Sequence, residues 1–275
     1  MSLRRRSPDS SAAGIAGTRS SRSQRSLLNT LRVYLLGFAS TVYHAAIIVG
    51  STTFKTRNAE RICFQAPRNW CRSLLWSAGV RVELEGLEHL DPPRPAVLVC
   101  NHESWYDVFA LAGKLPVDYR FVGKKELARI PLFGPAWIAS GHIPIDRSNR
   151  KAAIQSLRRA SEIMHRDNAV VVMFPEGTRS ADGTLLPFKK GAFVLALETG
   201  VPVIPIGVSG GRRIMPKGSL LVRPGTMRVH IGAPIEVDGL TVQDRDQLVE
   251  RARVAVERLR AEASMVTDGS DQTRI

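Results

Sequence analysis

From Val80 onward the sequence alternates short β-rich runs with stretches of helical periodicity. Strands are predicted over residues 81–85, 96–100, 119–122, 142–146, 169–174, 203–208, 220–223 and 227–231. Helices are predicted over residues 104–112, 148–166, 192–198 and 242–262. Alternation of this kind is typical of an α/β domain whose mixed, largely parallel central sheet is flanked by helices.

Composition narrows the class of protein further. A chain of 275 residues with 44% hydrophobic content can fill a core, which excludes disorder throughout. The net charge of +14 predicts a polyanionic partner: nucleic acid, an anionic membrane surface or a phosphate-bearing substrate. Three cysteines without a Cys-x-x-Cys pair, and six scattered histidines, predict a reducing compartment and no metal site.

The first 79 residues differ in composition from the rest. Residues 1–26 are rich in serine and arginine and predict a disordered basic arm, either a solvated tail or a tether to anionic lipid. Residues 33–50 carry no formal charge and as a helix would reach roughly 27 Å, against a hydrocarbon core of about 30 Å. Basic residues flank this segment at both ends, so the asymmetry that orients a spanning helix is missing.

A second N-terminal helix is predicted over residues 58–79, with Pro67 expected to break or kink it. Its arginines fall on one face, a pattern typical of a membrane interface, although a helix packed on the domain's own core is the alternative. We therefore predict a membrane-associated helical hairpin over residues 27–79, lying in one leaflet or contributing a single membrane segment. The main domain follows over residues 80–265, and residues 266–275 are expected to be loose.

A histidine and a carboxylate lie just beyond one predicted strand. The segment Asn101–Asp107 reads NHESWYD and follows the apolar run of residues 95–100. Loops beyond strand ends in open α/β sheets collect ligands, and a histidine near an acid can act as a general base. Since His102 and Asp107 would not meet on one regular helix, His102 must precede a helix capped by Ser104. Asp107 also fits the capping-box pattern Ser-x-x-Asp, which is the purely structural alternative.

The segment FPEGTRS, residues 174–180, follows the most apolar predicted strand and should open on the same edge of the sheet. Gly177 permits a tight turn, and the guanidinium of Arg179 suits phosphate oxygens. Glu176 could pair with Arg179 or hold an acceptor hydroxyl; a polar turn with an internal ion pair is the alternative. Lys124 and Arg147 also follow predicted strands, which suggests that several basic loops meet at one pocket.

Residues 131–134 and 201–207 are two apolar segments that contain proline. They are predicted to form either the walls of an acyl channel or part of the ordinary core. Together with NHESWYD and FPEGTRS, the segments GKKELARIPLFG and VPVIPIG resemble, in order and spacing, the four sequence blocks of the glycerolipid acyltransferase family. The resemblance covers residues 80–235 and is strongest to bacterial 1-acyl-sn-glycerol-3-phosphate acyltransferases.

The resemblance implies transfer of a fatty acyl group from acyl-coenzyme A or acyl-carrier protein to the free hydroxyl of 1-acyl-sn-glycerol-3-phosphate. The product would be phosphatidic acid for phospholipid synthesis, made at the cytoplasmic face of the membrane without a cofactor or metal. His102 would be the general base, and Asp107 would orient it. The resemblance implies a phosphate site formed by Glu176, Gly177, Thr178 and Arg179 with Lys124 and Arg147.

Other functions remain open at this stage. The acceptor could be another lysolipid or glycerol 3-phosphate, or the chain could be a non-catalytic, basic lipid-binding membrane module. A serine hydrolase built on Gly-x-Ser-x-Gly at Ser209 is disfavoured, because no acid lies between Ser209 and the downstream His230. Cys100 is expected to be a small buried residue rather than a nucleophile. An aromatic content of 6% also disfavours nucleic acid as the partner.

Overall fold

The computed structural model describes the backbone of residues 11–270 and the side chains of residues 27–265. Within that part of the chain the α-helices are α1 (Ser11–Thr53), α2 (Ala59–Ala78), α3 (Trp105–Lys114), α4 (Phe133–Ala139), α5 (Arg150–Asp167), α6 (Gly191–Thr199), α7 (Gly211–Ile214) and α8 (Arg245–Ser270). The strands are β1 (Val80–Glu85), β2 (Val97–Cys100), β3 (Tyr119–Lys124), β4 (Ile143–Ile145), β5 (Val170–Met173), β6 (Val203–Ser209) and β7 (Gly225–Ile231). Short 3-10 turns cover Leu87–Leu90, Lys125–Arg129 and Val242–Asp244.

The strands form one sheet in the order β1-β7-β6-β2-β5-β3-β4, and every neighbouring pair is parallel except β6 and β7. This confirms the predicted mixed, largely parallel sheet. The central strands β2 and β5 read VLVC and VVVM and are buried throughout, as expected for parallel strands covered on both faces. Val99 pairs with Met173, so the loops after β2 and β5 leave the sheet side by side.

Alternate residues of β2 enter two different cores, because successive side chains of a strand point to opposite faces. Leu98 and Cys100 join the core beneath α2 and α3, whereas Val97 and Val99 join the core beneath α5, α6 and α8. The sheet is thereby covered on both faces, and the loops at its edge are held from both sides.

Helices α1 and α2 pack against each other, which confirms the predicted N-terminal helical hairpin. The segment Leu27–Thr53 is long and apolar enough to cross a membrane by length and composition. The predicted arm, residues 1–26, and the predicted loose tail, residues 266–275, stay predictions for residues 1–10 and 271–275, which lie outside the described residues. The backbone is helical over residues 11–26, in α1, and over residues 266–270, in α8.

The predicted strand over residues 220–223 is wrong. The N–H of Val222 donates to Thr30 Oγ1 at 3.1 Å, and its carbonyl accepts from Asn29 Nδ2 at 3.2 Å. Tyr34 donates its hydroxyl to the carbonyl of Leu220 at 3.0 Å. These backbone groups are therefore bonded to side chains of α1 instead of to a neighbouring strand.

The predicted break of the second helix at Pro67 is wrong. Helix α2 continues through Pro67, whose missing N–H removes one backbone hydrogen bond while packing on both sides holds the helix. Arg68 is 5% exposed and donates to the carbonyl of Val117 at 2.5 Å, and Arg72 donates to the carbonyl of Gly113 at 2.8 Å. Arg68 and Arg72 thus bond to the domain, as the alternative interpretation expected, whereas Arg57 and Arg61 of the same predicted face are exposed.

Candidate active site

His102 and Asp107 meet at the start of α3. Ser104 is the N-cap, so His102 lies in the turn before the helix, and its Nδ1 is 2.9 Å from Asp107 Oδ2. The same carboxylate oxygen accepts the N–H groups of Glu103 at 2.7 Å and Ser104 at 2.8 Å. Both interpretations of Asp107 therefore hold, because one oxygen completes the capping box and also contacts the imidazole. A proton on Nδ1, donated to this carboxylate, leaves Nε2 able to accept another.

The loop after β5 holds the other side of His102. Phe174 stacks on the imidazole with ring centroids 4.1 Å apart and an interplanar angle of 22°. The carbonyl of His102 accepts from the N–H of Ser180 at 2.7 Å. The His102 segment and the FPEGTRS segment are thus one hydrogen-bonded unit, as the adjacent ends of β2 and β5 require.

The carboxylate of Glu176 connects the same two segments. Its Oε1 accepts from the N–H of His102 at 2.6 Å, and its Oε2 accepts from the N–H of Leu186 at 3.0 Å. Glu176 is 4% exposed, and burial raises its pKa to about 7, although the two N–H groups act in the opposite direction. Both oxygens are directed at backbone groups, which favours a positioning role over direct contact with a phosphate.

A cavity of about 290 Å³ opens beside His102. Six residues that the sequence singled out line it: His102, Lys124, Arg147, Gly177, Thr178 and Arg179. They come from the loops after β2, β4 and β5 and from the end of β3, so the structure brings these basic residues together at one pocket. The rest of the lining is mostly apolar and aromatic.

The basic end of the cavity is held by contacts within its own loops. Arg147 Nη1 donates to the carbonyl of Gly177, and the Arg179 guanidinium lies 5.1 Å from the centre of the Trp105 ring. Lys217 Nζ donates to the carbonyl of Arg179 at 2.8 Å. Sequence reasoning missed Lys217, because it lies in a loop after α7 with no motif around it. Burial lowers the pKa of both the Arg147 and Arg179 guanidiniums. An anion that binds here would therefore contact poorly hydrated cations.

The apolar end of the cavity reaches the N-terminal hairpin. Trp70 of α2 and Phe133 and Trp137 of α4 form its far wall, and α4 itself was not predicted. A Cβ on Gly123 would lie 2.8 Å from the Trp137 ring, so the missing side chain allows that ring to close against β3. The segment of residues 131–134 thus contributes one wall residue, whereas residues 201–207 are buried core, of which residues 203–207 belong to β6.

Cys100 and Ser209, which the sequence disfavours as nucleophiles, lie in other environments. Cys100 is fully buried, and burial raises the pKa of its thiol well above the ordinary value. Ser209 Oγ lies 3.0 Å from Ser264 Oγ of α8. Neither residue lines the cavity beside His102.

Comparison with known proteins agrees with this geometry. The family model described as Acyltransferase matches residues 81–209. A 1-acyl-sn-glycerol-3-phosphate acyltransferase of Pseudomonas aeruginosa is 35% identical over 204 residues, which are 72% of this chain and 78% of that protein. One from Limnanthes alba is 40% identical over 177 residues, 64% of this chain and 62% of that protein. The chain therefore spans less than two thirds of the length of that plant relative.

A solved structure has the same fold. The 1-acyl-sn-glycerophosphate acyltransferase PlsC from Thermotoga maritima superposes with a TM-score of 0.73 at 28% sequence identity. The match covers 87% of this chain and 98% of that one. The fold is shared, the family model matches, and the bacterial relative is covered over most of its length. The chain therefore belongs to the acyltransferase family that contains the 1-acyl-sn-glycerol-3-phosphate acyltransferases.

Proposed function

We propose that the protein transfers a fatty acyl group from a thioester to the free hydroxyl of 1-acyl-sn-glycerol-3-phosphate and so makes phosphatidic acid. One observation carries the proposal: a single cavity joins the His102–Asp107 pair, a basic end and an aromatic, apolar end. Such a cavity suits an acceptor that carries a hydroxyl, a phosphate and a hydrocarbon chain in one molecule. The names of the bacterial and plant relatives support the same acceptor.

In the proposed reaction His102 Nε2 removes the proton from the acceptor hydroxyl as its oxygen attacks the thioester carbonyl. Asp107 stabilises the imidazolium that forms, since it is 1% exposed and its Oδ2 lies against Nδ1. When the tetrahedral intermediate collapses, the carbon–sulfur bond breaks and the imidazolium returns the proton to the leaving thiolate. The ester and the free thiol are the products, and direct attack needs neither a covalent enzyme intermediate nor a cofactor.

The acceptor's phosphate is assigned to the basic end of the cavity, on Arg147, Arg179 and Lys124. Two planar guanidiniums can each bind two phosphate oxygens, which suits an anion close to the reacting hydroxyl. Gly177 and Thr178 line the same end, while Glu176 holds the loop that carries them. Either acyl-coenzyme A or acyl-carrier protein could deliver the thioester to this opening.

We place the protein at the cytoplasmic face of the cell membrane, attached through α1. The surface of α1 exposes large apolar side chains, including Leu28, Leu35 and Phe38, which are 68%, 63% and 73% exposed. Such an apolar face in a strongly basic chain suits an anionic membrane surface, where a lipid acceptor and its product reside.

The experiment is thiol release from a long-chain acyl-coenzyme A, measured with and without lysophosphatidate on detergent-purified protein. We expect release that requires the acceptor and is lost in His102→Ala. His165→Ala, at an exposed position of α5, is the matched control and should retain full turnover.

Other outcomes would reject the proposal. Thiol release without an acceptor would indicate a thioesterase. No release with any lysolipid, from coenzyme A or carrier-protein thioesters, would favour the non-catalytic lipid-binding module. Parallel assays with glycerol 3-phosphate and other lysolipids test the identity of the acceptor. If turnover is faster with one of them than with lysophosphatidate, that molecule is the acceptor.

A further inference from the structure

A second histidine lies deep in the apolar part of the cavity. His142 precedes β4 and is 7% exposed. Aromatic rings surround it, with centroids at 5.5 Å for Trp137, 5.8 Å for Phe121 and 6.1 Å for Tyr119. The reaction proposed above does not use it.

The hydrogen bonding of His142 defines its tautomer. The backbone N–H of Phe121 points at Nδ1 across 3.2 Å, and because a backbone N–H can only donate, Nδ1 is the acceptor. Burial lowers the pKa of His142 to about 3, and the Arg120 and Arg68 guanidiniums act in the same direction. The ring is therefore neutral near pH 7 and carries its proton on Nε2.

The Nε2–H donor has no partner in the part of the chain whose side chains are described, residues 27–265. His142 lines the cavity beside His102 and also a smaller apolar cavity of about 40 Å³ between α1, α2 and α4. A saturated hydrocarbon chain that filled this space would leave the N–H without a partner, and an unsatisfied buried donor is unfavourable.

A row of aromatic rings connects the two histidines. Phe174 stacks on His102 at 4.1 Å, Phe121 lies parallel to Phe174 at 6.4 Å, and His142 lies 5.8 Å from Phe121. Suppose that the reacting end of an acyl chain is held at His102 and that the chain follows this row of rings. A carbon far from the reacting end then lies at His142.

We propose that His142 is a specificity-determining residue that donates a hydrogen bond to an oxygen on an acyl chain, so that the protein accepts hydroxy-, oxo- or epoxy-substituted chains. The inference rests on the proposed acyltransferase function. The distance between the two histidines sets the chain position that must carry the oxygen. The hydrogen bond at Nδ1 fixes the His142 ring, so the ring cannot turn toward a substituent at another position. The chain is that of either the thioester donor or the lysolipid acceptor, which share the same chemistry.

The test compares kcat/KM for hydroxyacyl-coenzyme A donors with that for the unsubstituted donor of equal length, while the hydroxyl is moved along the chain. We expect a relative gain of about 5-fold at one or two adjacent positions, the worth of one net hydrogen bond, and none elsewhere. An oxo group at the same position should gain equally, because it can only accept. A second series with the hydroxyl on the lysolipid chain identifies which substrate carries the oxygen.

His142→Phe should abolish the gain, so that substituted and unsubstituted donors of equal length have the same kcat/KM. Because the gain is a ratio measured within one variant, a general change in turnover does not affect it. Ser140→Ala is the matched control, since the Ser140 hydroxyl lines the smaller cavity but donates to the carbonyl of Ala136 at 2.9 Å; its gain should be unchanged.

A wild-type scan with no favoured position in either series would overturn the inference, whether or not the variants fold. The proposed function would survive that result, because turnover of the unsubstituted donor measures it separately. A gain that persists in folded His142→Phe would equally overturn the assignment to His142.

Discussion

At the residue scale, one carboxylate oxygen performs the main organising role. Asp107 Oδ2 contacts the His102 ring and two backbone N–H groups. The second oxygen, Oδ1, is buried without a hydrogen-bond partner in the described part of the chain. Gly211 lies directly behind it, where a Cβ would be 2.3 Å from Oδ1 and 3.0 Å from Ser104 Cβ.

Asp107→Asn should lower kcat by roughly 10³–10⁴-fold while the protein remains folded, because an amide can occupy the site but cannot stabilise the imidazolium. Stopped or continuous thiol-release assays at saturating acceptor measure the effect. A kcat within a few-fold of wild type would show that Asp107 only caps α3.

Gly211→Ala should lower kcat by about 10–100-fold, because the added methyl group displaces the Asp107 carboxylate and with it the imidazole. Gly50→Ala is a control of the same chemistry, since a Cβ there meets nothing within 4 Å. Equal activity of the two variants would contradict this role for Gly211.

Glu176 should make stability depend on pH. Its folded pKa of about 7 exceeds the ordinary value of 4.5, so between these values the folded state holds a proton that the unfolded state has lost. The folded state binds more protons, and stability therefore falls as pH rises through this window, by roughly 3 kcal/mol in all. Urea unfolding between pH 4 and 8 should show the stability of wild type falling relative to that of Glu176→Gln, while the contribution of other buried carboxyls such as Glu103 is common to both. Parallel curves would contradict it.

At the element scale, the loop before β7 depends on α1. Thr30 is 8% exposed and exchanges hydrogen bonds with the N–H and carbonyl of Val222 across 192 residues of sequence. Arg32 adds a bond to the carbonyl of Ser77 at the end of α2. The apolar run of residues 220–223 thus finds its partners in a helix rather than in the sheet.

Thr30→Ala should weaken the docking of α1 by about 1–3 kcal/mol, because the buried N–H of Val222 loses its acceptor. Hydrogen exchange at the Val222 amide should accelerate accordingly. Thr52→Ala is the control, since that hydroxyl bonds only within α1, to the carbonyls of Ile48 and Val49. Unchanged exchange at Val222 in Thr30→Ala would refute the dependence.

At the scale of the whole molecule, α1 is attached to the domain at two places, near its middle and near its C-terminal end. Thr30 bonds the loop at Val222, and Ala45 and Ile48 pack with Ala136 of α4. Thr30 and Ile48 are 18 positions apart, which in a helix extends about 27 Å, close to the thickness of the hydrocarbon core. A spanning α1 would therefore draw the domain into the bilayer, so we infer that α1 lies along one leaflet.

Single cysteines at Leu27 and Phe54, which are 56% and 82% exposed, test this arrangement in a Cys63→Ser background. Both should react with a membrane-impermeant maleimide from the same side of reconstituted vesicles. Protection of one position until the vesicles are lysed would indicate a spanning helix instead.

The sequence by itself determined seven strands and the long helices of the main domain, and it identified the loops that carry the chemistry. These features arise from local causes: apolar periodicity, strand-end turns and the Ser104-x-x-Asp107 cap. A local pattern also placed His102 outside its helix, since the cap requires it.

Only the tertiary structure decided how residues far apart in the sequence use their polar groups. Glu176 bonds the backbone of His102, Arg68 bonds Val117, Val222 bonds Thr30, and Lys217 reaches the loop of Arg179. Each role depends on a partner more than 35 residues away, and hydrogen-bond satisfaction of buried groups is settled by packing and not by local periodicity. The position of His142 at the end of the aromatic wall was decided in the same way.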